Sequence, residues 1–156
     1  MNTIESLKTP HINTVINPEI TRHIKELTPS GKLAVTQNNL TYLKLDDNYI
    51  HELFPLITQP GIQKPDYFNP GSEGAHMTVI YPEENKTIKA EDLNQQHEFT
   101  INQIATAEIN NKIYTILLAD SPSLIDLRHR YQLPDLLGFR GYAIGFHITI
   151  GFEMIN

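Results

Sequence analysis

Residues 75–81 read AHMTVIY and residues 146–152 read FHITIGF, so the pattern His-apolar-Thr-apolar occurs twice, at His76–Thr78 and His147–Thr149. Each copy follows a nearby glycine, Gly74 or Gly145, and sits in strand-like surroundings. Side chains alternate faces along a strand, so in each copy the imidazole and the hydroxyl lie together. His76 and Thr78 share a face with Ile80, opposite Met77, Val79 and Tyr81. His147 and Thr149 share a face with Gly145 and Gly151, opposite an apolar row of Ile144, Phe146, Ile148, Ile150 and Phe152. Two imidazoles titrating near neutrality can divide the work of general base and general acid. Threonine is a weak nucleophile without a partner base but a good hydrogen-bond donor to an anionic oxygen. Base, acid and two neutral donors together suit in-line displacement at phosphorus, and no metal is needed for it.

The same pattern could be the solvent face of two half-buried strands. Against this stand the matched apolar neighbours, the preceding glycines and the equivalent places of the two motifs in the chain. The order of elements repeats. KLAVTQ and LTYLKL form a hairpin about Asn38-Asn39, DDNYIHELFPLI carries apolar residues at helical spacing, and a loop leads into HMTVIY. HEFTINQIATAEI and KIYTILLAD form a hairpin about Asn110-Asn111, SPSLIDLRHRYQL is a helix capped by Ser121 or Ser123, and LPDLLGFRG leads into YAIGFHITIGF. Upstream, a polar and loose start precedes a short helix over NPEITRHIKEL, with Asn17 as cap and Pro18 in the first turn. The loop TQPGIQKPDYFNPGSEGA is long for a compact domain, and loops of that length tend to carry function.

The paired motifs resemble those of the two-histidine phosphoesterase superfamily, which includes bacterial RNA-ligase-like enzymes and plant-type cyclic phosphodiesterases. The resemblance implies a single two-lobed α+β domain over residues 1–156, with duplicated antiparallel sheets lining a central cleft and helices outside. It implies His76 and His147 as the catalytic pair and Thr78 and Thr149 as phosphate ligands. The implied activity is metal-independent hydrolysis of a cyclic phosphate or a 2′-5′ linkage, in a nucleotide or at a short RNA end, with no cofactor. Neither motif is followed by the basic residue that some RNA-ligase-like members carry. A binding module that keeps the cleft without turnover is the alternative, and a purely structural domain is the third reading.

Further residues are candidates for substrate contact. Tyr67 and Phe68, in the loop before the first motif, could stack on a base, and Arg140, before the second, could meet a phosphate. Tyr142 belongs with the core by its spacing from Ile144 and Phe146. Arg128, His129 and Arg130 read as the solvated face of a helix, and His11, His23, His51 and His97 as structural or exposed. No zincin spacing or calcium loop is present.

Bulk composition sets the limits. With 156 residues, 40% apolar and 19% charged, the chain has the make-up of a soluble globular domain. A net charge of −6 argues against affinity built on broad phosphate neutralisation, so the expected partner is a small nucleotide or RNA end, not an extended nucleic acid. The absence of cysteine removes thiolate chemistry and disulfides. Neither a secretory leader nor a membrane-length apolar run is visible, so the expectation is a cytoplasmic monomer without membrane contact.

Overall fold

The computed structural model describes residues 7–155, and residues 1–6 of the polar start lie outside it. Its elements in chain order are β1 (His11–Val15), α1 (Pro18–Ile24), β2 (Ser30–Val35), β3 (Thr41–Lys44), α2 (Asn48–His51), β4 (His76–Ile80), β5 (Gln96–Glu98), β6 (Thr100–Ile109), β7 (Lys112–Asp120), α3 (Pro122–Arg130), β8 (Leu137–Phe139), β9 (Tyr142–Ile144) and β10 (His147–Met154). Eight strands form one antiparallel sheet in the order β1-β6-β7-β10-β4-β3-β2-β5, while β8 and β9 make a separate hairpin. The architecture is the expected α+β. The two expected sheets are halves of one, joined edge to edge where β10 meets β4.

Local signals explain several elements. Asn17 Oδ1 accepts from the Ile20 amide at 3.1 Å, and Ser121 Oγ accepts from Leu124, so both helices begin at side-chain caps. Asn39 and Asn110 take positive φ (67° and 56°) in the turns of the β2–β3 and β6–β7 hairpins, a conformation asparagine tolerates. The helix expected over DDNYIHELFPLI is only one turn long. Pro55 cannot donate the next helical hydrogen bond, and the chain continues as a 3₁₀ turn over Phe54–Leu56.

Three readings need correction. The polar start contains β1, which pairs with β6 from His11↔Glu108 to Val15↔Ile104 and closes one edge of the sheet. YAIGFHITIGF is not one strand: it breaks at Gly145-Phe146, so β9 pairs with β8 and only β10 enters the main sheet. Arg128 is not solvated. It is fully buried, ion-paired with Glu84 at 2.7 Å, and it donates to the carbonyls of Val79, Pro134 and Leu136. One guanidinium thus ties α3 to the end of β4, the following turn and the approach to β8. Its neighbours His129 and Arg130 do lie at the surface.

Both motif strands also carry a bulge directly after the threonine. Opposite β3, Tyr42 pairs with Thr78 and Thr41 with Ile80, so β4 has one extra residue. Opposite β7, Ile116 pairs with Thr149 and Thr115 with Gly151, so β10 has one extra residue at the equivalent place. A bulge inverts the alternation beyond it. Tyr81 and Phe152, which strict alternation assigns to the core, therefore line the histidine face. Gly151 turns the other way, where an added Cβ would lie 3.0 Å from Ile57 and Ile62.

Replacing Arg128 with methionine leaves Glu84 buried without its partner, which should cost roughly 3–5 kcal/mol in urea unfolding. Arg130→Ala, which breaks the partly exposed pair with Asp92, should cost about 1 kcal/mol or less. Equal effects would show that Arg128 has no special structural role.

Candidate active site

The site is built on the seam between the two half-sheets. Ile148 of β10 pairs with Met77 of β4, and both side chains are fully buried on the helix side. Continued one step each way, this antiparallel register sets His147 against Thr78 and Thr149 against His76. All four motif side chains therefore point to the same, open face, and they line a cleft of about 530 Å³. Each imidazole has the other motif's hydroxyl as its cross-strand neighbour, so the two histidines are diagonal, with Cα atoms about 8 Å apart by strand geometry.

The orientation of both rings is fixed in the same way. His76 Nδ1 lies 2.8 Å from the Gly74 carbonyl, and His147 Nδ1 lies 2.9 Å from the Gly145 carbonyl. A carbonyl can only accept, so Nδ1 must carry the proton in each ring. That leaves Nε2 of each neutral imidazole with a free lone pair. Burial lowers the pKa of both histidines. For His76 the Gly74 hydrogen bond and Glu73 oppose this while Lys44 adds to it; for His147 the Gly145 bond opposes it and His76 adds to it. The charge of His76 thus reaches the second imidazole across the seam.

The first histidine has a brace that sequence reasoning missed. Lys44 Nζ donates to Asp47 Oδ1 at 2.7 Å and to the Leu45 carbonyl at 2.6 Å, and Asp47 Oδ1 also accepts from the Ala75 amide at 3.0 Å. Burial alone would raise the Asp47 carboxyl, but the bonds from Lys44 and Ala75 and the nearby positive charge hold it below its usual range. Gly74 crosses this brace at φ 67°, with space for no side chain: an added Cβ would lie 2.5 Å from Asp47 Oδ1 and 2.8 Å from Lys44 Nζ. The glycine before the second motif is under no such constraint, since the nearest atom to a Cβ on Gly145 is 3.9 Å away. A Lys-Leu-Asp-Asp run is common enough that only the fold reveals its role.

The other candidates divide. Tyr67 enters the cleft, edge-on to His76 with ring centroids 4.7 Å apart. Burial first, then Tyr114 and Glu73, push its phenol up to about 12, with the Thr149 hydroxyl acting against them. It thus lies against the first motif's imidazole and shares the cleft with Thr149. Phe68, its neighbour, turns away and stacks on His51 at 4.4 Å, and it is not among the cleft residues. Arg140 lines the cleft from the β8–β9 turn, with its amide donating to Glu83 Oε2 at 2.7 Å. Tyr142 packs half-buried against the core, but from β9 beside Phe139, because the strand whose spacing placed it there breaks at Gly145. His97 is buried against Ser123 Oγ, and His51 lies beside Lys64, both away from the cleft. Alternation concealed Tyr81 and Phe152 because a bulge leaves no local mark in the sequence. Lys112 and Tyr114 on β7 complete the wall beside Phe152.

A family model described as "Swiss Army Knife, 2H phosphoesterase domain" matches residues 41–155, a span from β3 to the end of β10 that includes both motifs. The chain belongs to the 2H phosphoesterase family. No curated protein and no solved structure gives a significant match. Membership supports a phosphodiesterase-type function in general, consistent with the two-histidine face. Among the described residues no group of three or more His, Asp or Glu gathers to hold a metal ion, and no helix is long and apolar enough to cross a membrane.

Two outcomes follow for this 2H phosphoesterase. Gly74→Ala must adopt a left-handed backbone and displace Asp47 or Lys44, so it should lose roughly 1–3 kcal/mol of stability. Gly145→Ala should stay within about 0.5 kcal/mol of the parent. Thermal unfolding of the pair checks this, and equal stability would show that the brace can give way. The pH dependence is set by the lowered histidines. If one must be neutral and the other protonated, the acid loses its proton as pH rises through a value below 6.5. Activity (kcat/KM) should therefore peak on the acid side of pH 6.5 and decline towards pH 8. A maximum at pH 8 would contradict that assignment.

Proposed function

We propose that the chain is a metal-independent phosphodiesterase that hydrolyses a cyclic phosphate or a 2′-5′ linkage in a nucleotide or short RNA end. The observation that carries this reading is the pair of imidazoles on one face of the β4–β10 seam, each with Nδ1 held by a backbone carbonyl and Nε2 free. One Nε2 takes a proton from water as the water oxygen attacks phosphorus. The other, protonated, donates to the departing ribose oxygen as its bond to phosphorus breaks. Thr78 and Thr149 donate to the non-bridging oxygens, whose charge grows in the transition state. The residues surrounding the pair keep both imidazoles poorly hydrated, which strengthens each of these contacts.

The cleft lining supports a small or end-on substrate. Among the described residues it presents two cations, Lys112 and Arg140, against Asp66, Glu73 and Glu83. Such a site can neutralise one phosphate but does not extend along a polyanion. The expected setting is a cytoplasmic monomer acting without a cofactor.

Turnover of 2′,3′-cyclic nucleotides and a short 2′-5′-linked oligonucleotide tests the reading. Activity should survive exhaustive chelation. His76→Ala and His147→Ala should each lose about 10²–10⁴ in rate. The double variant should lose far less than the product, since the two act as a unit. Thr78→Ala and Thr149→Ala should each cost roughly 1.5–3 kcal/mol of transition-state stabilisation. Restoration of a chelated protein by a divalent ion, or a folded histidine variant of near-normal rate, would sink the mechanism. Ligand binding without turnover would instead make the chain a nucleotide-binding module.

A further inference from the structure

The motif residues at the centre of the cleft carry little positive charge. Thr78 and Thr149 offer neutral hydroxyls, and both imidazoles, lowered by burial, are neutral at pH 7.5. The cations stand apart. Lys112 is four residues along β7 from Ile116, the partner of Thr149, which separates their Cα atoms by about 13 Å, and its Nζ lies 5.1 Å from the Phe152 ring centre. Arg140 lies 5.1 Å from the Phe139 ring centre, in the β8–β9 turn. Lys44 is the cross-strand partner of His76, but its Nζ is drawn back onto Asp47 and the carbonyls of Leu45 and Ala75.

Three carboxylates share the cleft, and two of them are engaged. Asp66 accepts from the Asn69 amide group at 3.0 Å, and Glu83 accepts from the Arg140 backbone amide at 2.7 Å. Glu73 takes part in none of the ion pairs among the described residues. Its charge falls on the first motif. Behind burial, the largest influence on each group, Glu73 helps to raise the Tyr42 and Tyr67 phenols and acts against the lowering of His76. The rings of Tyr42 and Tyr67 both stand edge-on to His76, at 5.7 and 4.7 Å.

We infer that Glu73 makes the cleft select phosphate groups by charge, admitting a singly charged phosphodiester and excluding a doubly charged phosphomonoester, its own product included. This rests on the phosphodiesterase reading above and adds a discrimination that reading does not contain. Repulsion from a fixed carboxylate grows in proportion to the ligand's charge, so a dianion bears twice the penalty of a monoanion. The threonine hydroxyls can donate to either ligand, but they supply no charge to offset the second one. A phosphomonoester loses its second proton near pH 6 and is largely a dianion at pH 7.5. Hydrolysis of a cyclic phosphate forms a P–O bond to water oxygen and breaks a P–O bond to a ribose oxygen. The diester's single charge becomes the monoester's two, and one proton passes to solvent. The reaction therefore creates the charge that Glu73 repels, and the product is driven from the cleft.

The test is binding at pH 7.5 to the His147→Ala variant, which holds ligand without turnover and, with that ring neutral in the parent, leaves the cleft's charge unchanged. The probes are adenosine 3′-monophosphate and its methyl ester, similar in shape and one charge apart. The methyl ester should bind about tenfold more tightly, the discrimination expected of one added charge about 8 Å from a carboxylate at an effective dielectric constant of about 20. Adding Glu73→Gln should tighten the monoester and bring the two affinities within about threefold. A monoester that binds as tightly as the methyl ester before that substitution would overturn the inference, as would a methyl ester that does not bind. A glutamine variant that keeps the full discrimination, or that weakens both ligands alike, would do the same. Should the glutamine variant fail to fold by circular dichroism, the comparison of the two ligands on His147→Ala alone decides. Wild-type turnover separates this from the broader reading. Cleavage of 2′,3′-cyclic AMP without discrimination between the probes overturns the role of Glu73 and leaves the phosphodiesterase. Discrimination that depends on Glu73, with no diester cleaved, upholds that role and removes the hydrolysis.

Discussion

The arrangement of this site depends on a hydrogen bond made twice, from a histidine Nδ1–H to the carbonyl of the residue two places before it. An imidazole free to rotate or to exchange tautomers would present the wrong nitrogen much of the time. Here the backbone supplies the acceptor, so ring and carbonyl belong to the same short segment and move together. The contrast with a carboxylate partner is instructive. A buried carboxylate would stabilise the protonated ring and raise its pKa. A carbonyl orients the ring without adding a full charge, and burial then keeps both rings below their ordinary value.

The remainder of the fold serves to hold those two segments side by side. The two halves of the sheet have matching order outward from the seam, β7-β6-β1 on one side and β3-β2-β5 on the other. Met77 and Ile148 bury themselves beneath the seam, which forces the neighbouring imidazoles and hydroxyls to the open face. Arg128 fixes the far end of β4 from below, while Lys44 and Asp47 fix its start. The two halves are alike in strand order, in the imidazole–carbonyl bond and in the bulge. They differ in how the preceding glycine is used, since Gly74 is required by the brace and Gly145 is not.

Much of this was legible in the chain because the signals are local. Asn17 and Ser121 announce their helices through side chains that reach only three residues, and Asn39 and Asn110 mark turns by a conformation they tolerate. The paired His-x-Thr strands could be read because alternation is a property of the strand alone. What escaped depends on partners distant in sequence. The polar segment His11–Val15 becomes a strand only because β6 offers it an edge. The bulges exist only relative to β3 and β7, so Tyr81 and Phe152 were assigned to the wrong face. Arg128 could not be told from Arg130 without knowing that Glu84 and three carbonyls surround it. Phe68 and Tyr67 are adjacent, yet only Tyr67 reaches the cleft, a distinction made by the path of a long loop.

The central claim is that both imidazoles are held as the Nδ1–H tautomer with Nε2 open to the cleft. Long-range nitrogen–proton correlation spectra of the histidine rings, recorded on the free protein at pH 7.5, test it most directly. The account predicts that His76 and His147 both show a protonated Nδ1 and an unprotonated Nε2, and that His147→Ala leaves the His76 pattern unchanged. Finding either ring with its proton on Nε2, or exchanging freely between the two nitrogens, would contradict it.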